Sequence, residues 1–119
     1  MWHNQKFRRY LMAPAVVLLA WHLTAATSVR IIQTNAAGDN AHVIDPVTNK
    51  VVGIIEGVEI VHGVTSDANR IYLSNEALHT LDVVDAKTLK VTKRIALSGR
   101  PNNVTITKDG RKVYVGIRE

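Results

Sequence analysis

The chain has 119 residues, a formal charge of +5, a pI near 9.8, 46% apolar residues and no cysteine. The apolar content is too high for a disordered chain and the length suits one small domain. The missing thiols exclude a disulfide framework, a thiolate metal site, a cysteine nucleophile and a cysteine lipid anchor.

Residues 1–26 carry Lys6, Arg8 and Arg9, no acid, and an apolar run from Leu11 to Ala26. A positive start, a short apolar core and small residues at Thr24 and Ala26 predict a secretory signal helix, cleaved after Ala26. The alternative is an uncleaved anchor, although 16 residues fall short of the roughly 20 that span a bilayer. A cleaved signal leaves no stable membrane span. It also takes away three cations, both Trp and the only Phe, so that 12 Lys plus Arg stand against 10 acids, a balance of +2.

The remaining 93 residues hold 14 Val, 10 Ile and 9 Thr. Such β-branched side chains are stiff at χ1 and fit a pleated sheet better than a helix. Short apolar runs broken by Gly, Asn, Asp and Pro predict strands over Val29–Thr34, Ala41–Asp45, Lys50–Glu56, Val61–Ser66, Arg70–Asn75, Thr80–Asp85, Lys90–Leu97, Asn103–Thr107 and Lys112–Ile117. The expected fold is all-β.

These segments repeat. Thr34-Asn35 returns as Ser74-Asn75, Val43-Ile44-Asp45 as Val83-Val84-Asp85, and Val64-Thr65 as Val104-Thr105, each forty residues on. Beyond that a turn grows by two, and Ile71-Tyr72 matches Val113-Tyr114 at forty-two. Four short strands per forty residues is the size of one β-propeller blade, a unit that must stack on neighbours to bury both faces. Residues 27–119 then form a partial propeller of four-stranded antiparallel blades. One complete blade spans 61–97, with three strands of a blade before it and two of a blade after it.

The wording of the repeat resembles a known family. Val43-Ile44-Asp45-Pro46-Val47-Thr48-Asn49-Lys50-Val51-Val52, Ile60-Val61-His62-Gly63-Val64, Asp109-Gly110-Arg111-Lys112 and Val113-Tyr114-Val115 are similar to the YVTN-type β-propeller repeat. The chain departs from it at Asp67-Ala68-Asn69-Arg70, which lacks the turn glycine, and after Tyr114. The resemblance implies an exported propeller, periplasmic or on the cell surface, that binds or scaffolds. Rings take 4–8 blades, so closure requires either further blades C-terminal to this segment or self-assembly of several copies.

In the resembled repeat the residue at His62 lies near the mouth of the central channel, with Asn102 its counterpart and Arg100 two residues before that. These three are the candidate ligand-binding residues for a protein or small molecule. Lys87, Lys90, Lys93 and Arg94 form a cationic run that could meet phosphates. An outermost strand, however, uses lysines against edge pairing, and with few aromatics for base stacking nucleic acid is the weaker expectation. Asp45 and Asp85, at strand ends, suit Asx-type turns, and Asp109-Gly110 suits a hairpin. His42, His62 and His79 lack metal-ligand spacing. No catalytic residue, metal or cofactor is expected. The leading reading is a non-enzymatic binding module, ahead of a propeller portion of a periplasmic oxidoreductase or its subunit, and then a nucleic-acid-binding propeller.

Overall fold

The computed structural model describes residues 28–119. The expected signal helix and its cut at Ala26 lie outside these residues. Nine strands follow in order: β1 (Ile31–Thr34), β2 (Asn40–Asp45), β3 (Lys50–Glu56), β4 (Val61–Ser66), β5 (Arg70–Asn75), β6 (Thr80–Asp85), β7 (Val91–Ala96), β8 (Arg100–Ile106) and β9 (Val113–Arg118). They pair as antiparallel sheets of three, four and two strands, β1-β2-β3, β4-β5-β6-β7 and β8-β9. No helix occurs among the described residues.

The repeat extends to the irregularities of the ladders. The register slips between Val43 and Ile44 in the first sheet and between Val83 and Val84 in the second. It slips again between Val61 and Val64, and between Pro101 and Val104. Each pair of bulges is forty residues apart, so the same local twist is built into successive blades. Turns repeat as well. The Asp45 carboxylate accepts from Val47 N at 3.0 Å, and that of Asp85 from Lys87 N and Thr88 N at 3.0 and 2.8 Å. Asn49 and Leu89 close these turns with φ of 55° and 58°. An asparagine adopts that conformation readily, whereas a leucine there is strained. Leu89 compensates by packing onto Gly53 of β3, where any Cβ would lie 2.5 Å from its Cδ1.

The sheets stack face to face. Ala41, Val43 and Ile55 of the first blade meet Val61, Ile71, Leu73 and Val84 of the second. Tyr72, Leu81 and Val83 on the opposite face of the second blade meet Val104, Ile106, Val113 and Val115 of the third. A blade covered on both faces cannot alternate apolar with polar residues. This is why β5 is buried from Ile71 to Asn75 and β6 from Leu81 to Val84. Each Leu or Val so enclosed contributes about 1.5–3 kcal/mol.

The third blade has one neighbour. Tyr114 holds the repeat position of Tyr72 but is 58% exposed against 7%.

Strand ends differ from expectation at two places that matter for function. β9 runs one residue beyond its predicted end, to Arg118. β8 begins at Arg100, three residues earlier than the pattern of apolar residues predicts, because Arg100 and Pro101 pair with Arg118 and Ile117 across the bulge. Proline is tolerated near the start of a strand. Arg100 and Asn102 are therefore strand residues.

Candidate functional site

The first strands of neighbouring blades, β4 and β8, run backbone against backbone. A Cβ on Gly63 would lie 2.5 Å from Asn102 O and 2.8 Å from Val104 N, so only glycine permits the approach. Ser74 fixes it. Its Oγ accepts from Gly63 N at 2.7 Å and donates to Asn102 O at 2.6 Å. Forty residues earlier Thr34 Oγ1 donates to His62 O at 3.2 Å, the same hydroxyl-to-carbonyl link between the first and second blades. The His62 and Asn102 carbonyls are thus built into the blade joints, and what the side chains do is a separate matter.

The joint gathers charge on one rim, made by the starts of β4 and β8 and the ends of β5 and β9. Glu76, just past β5, is 3% exposed. Its Oε2 lies 2.7 Å from His62 Nε2, and its Oε1 lies 2.5 Å from Arg100 Nη2 and 3.8 Å from Arg118 Nη2. No donor is aligned for a hydrogen bond to Oε1. A carboxylate taken out of water needs compensating partners, and β4, β8 and β9 each place a basic side chain against it. The Arg100 and Arg118 side chains remain 52% and 51% exposed, and that of His62 33%. The arrangement is a buried acid under a half-exposed cationic surface, suited to recognition by charge.

Of the candidate binding residues, His62 and Arg100 meet on Glu76, whereas the Asn102 carbonyl is bound by Ser74 in the same β4–β8 joint. Glu76 and Arg118 are missed by reading the sequence alone. Their signal lies in register: Val61 pairs with Asn75, and Arg100 with Arg118. An acid at 76 must then share a rim with the start of β4.

The cationic run does not form one surface. Lys93 pairs with Val83 and Arg94 with Asp82, and neighbours along a strand point to opposite faces. Arg94 Nε lies 3.3 Å from the fully buried Asp82, and its Nη2 donates to Gly57 O of the first blade at 2.8 Å. Asn75 Nδ2 and Thr80 Oγ1 complete the acid's shell at 2.9 and 2.6 Å. Arg94 therefore clamps two blades. Lys87 and Lys90 are exposed around the β6–β7 turn, at the end of the blade opposite Glu76.

Asp67, Asp85 and Asp109 serve turns. Backbone N–H groups of Asn69 and of Thr88 hold the carboxyls of Asp67 and Asp85 below the usual range, and the Thr107 hydroxyl does the same for Asp109. Burial raises the Tyr72 phenol.

Stacked sheets with a repeated bulge, a repeated turn and a repeated joint define the described residues as a β-propeller portion, one complete four-stranded blade between two partial ones. Among solved structures, Kuenenia stuttgartiensis hydrazine synthase is similar in fold. The TM-score is 0.69 at 24% identity, over 74% of this chain and 26% of that one. Among curated proteins, Antigen Lp49 of Leptospira interrogans serogroup Icterohaemorrhagiae serovar copenhageni is 37% identical over 50 residues. That stretch is 42% of this chain and 11% of the antigen, so the chain matches only a small part of that relative. No family model matches the chain.

Proposed function

We propose that this chain is part of an exported propeller of the YVTN-repeat kind. In this reading it acts as a non-enzymatic binding or scaffold module in the periplasm or at the cell surface. The observation that carries the reading is the rim, where His62, Arg100 and Arg118 from three strands converge on the buried Glu76. Recognition by a propeller needs little more than such a surface held on rigid strands. Export is supported by the basic, then apolar, segment 1–26. A surface location is supported by the match to a protein named an antigen. The partner is a protein or small molecule that meets the rim. Nucleic acid is a weaker partner, because the cations of β7 are divided between two faces and Arg94 is engaged by Asp82.

A photo-crosslinking residue placed at position 119, exposed beside the rim, or at position 87, at the opposite end of the blade, tests this in cells with Arg100 and Arg118 intact. The reading predicts a discrete adduct in the envelope fraction from position 119 and none from 87. Adducts from 87 alone, or from neither position, would overturn it.

A further inference from the structure

We propose that Arg100 and Arg118 form an oxyanion-binding site, taking a carboxylate or phosphate group of a ligand, with Glu76 as the residue that positions both guanidiniums. This rests on the reading of the rim as the binding surface, and names what that surface recognises.

Three observations lead there. First, Arg100 and Arg118 are direct cross-strand partners. Like charges facing each other across a ladder are destabilising, and the scaffold does not require them: the corresponding positions of the second blade hold Ile60 and Glu76. Second, the one carboxylate within 4 Å of either guanidinium among the described residues is already shared. Its Oε2 faces His62, and its Oε1 is close to both arginines without an aligned donor. Within this cluster two guanidinium charges stand against one carboxylate. Third, both arginine side chains keep about half of their surface in water. Each guanidinium carries five N–H groups, more than its one contact with the Glu76 oxygen can engage, and the others remain able to donate. A pair of planar guanidinium forks matches the paired oxygens of a carboxylate or phosphate, which a point charge such as lysine does less well.

The test uses the chain Met1–Glu119 labelled with ¹⁵N, following the side-chain Nε–Hε signals of Arg100 and Arg118. Inorganic phosphate and succinate are titrated separately at constant ionic strength, against sodium chloride. Saturable shifts at both arginines in one titration identify that group as the ligand chemistry. Shifts in both titrations assign a general oxyanion site. Binding should weaken about tenfold or more in R100Q and in R118Q, also weaken in R118K, which keeps the charge but loses the fork, and stay unchanged in K93Q. Equal shifts with chloride, or unchanged binding in R100Q, R118Q and R118K, would overturn the proposal. If binding is absent while the rim crosslink persists, the oxyanion is wrong and the binding-module reading stands. Loss of both ends the two together.

Discussion

Replacing Gly63 with alanine adds one methyl group where β4 and β8 touch. That Cβ would meet Asn102 O at 2.5 Å, Val104 N at 2.8 Å and Asn103 Cα at 3.1 Å. Non-bonded contacts involving carbon are most favourable near 3.5–4.0 Å, so β8 must withdraw by about 1 Å. All three obstacles are backbone atoms, and no side-chain rotamer can absorb the change. The movement also lengthens the 2.6 Å bond from Ser74 to Asn102 O, a joint whose loss adds to the strain. Overpacking costs about 1–3 kcal/mol, and a weakened buried hydrogen bond adds roughly 1 kcal/mol. We expect G63A to destabilise the chain by about 2–4 kcal/mol in equilibrium urea unfolding. The m-value should stay unchanged, which would show that folding remains one transition. A loss below about 0.5 kcal/mol, the ordinary range of surface substitutions, would refute the close approach of the two strands.

Three further outcomes follow from the same geometry. S74A strands Gly63 N and frees Asn102 O, and should cost about 1–3 kcal/mol in the same assay. R94A removes a charged hydrogen bond to the fully buried Asp82 and the link to Gly57 O. It should cost about 1.5–3 kcal/mol, whereas K93A, on the other face, should change stability by less than about 0.5 kcal/mol. The folded carboxyls of Asp67, Asp85 and Asp109 lie below their ordinary values. A lowered folded pKa contributes stability above the unfolded pKa, near 4, and loses it as pH falls through the folded value. Thermal unfolding should therefore shift to lower temperature below about pH 4, and D85A should flatten that decline.

Much of the fold was legible in the sequence because its determinants are local. β-branched residues and turn chemistry mark every strand, and Asp45 and Asp85 announce their turns by position alone. The forty-residue offset carries over even to the bulges at Val43 and Val83. Features that depend on how one blade meets the next were not legible. Arg94 reads as an edge cation until Asp82 and Gly57 are placed beside it. Nothing in the sequence sets Gly63 apart until β8 lies against it. Glu76 lies outside every predicted strand, and Arg118 falls one residue beyond the predicted last strand. The start of β8 was misplaced because Arg100-Pro101 has no strand propensity, and the pairing with Ile117 and Arg118 overrides that deficit. His62 and Arg100 could be singled out from the repeat wording, but the acid that draws them together could not.

The central claim is that the buried carboxylate of Glu76 in the second blade organises the Arg100 and Arg118 guanidiniums of the third, together with His62, into one rim. A double-mutant cycle with E76Q, R100Q and the pair, measured by urea unfolding, tests it most directly. The geometry predicts a coupling energy of about 0.5–3 kcal/mol between the two positions, as for residues in one network. Strict additivity, with the double variant equal to the sum of the singles, would contradict it.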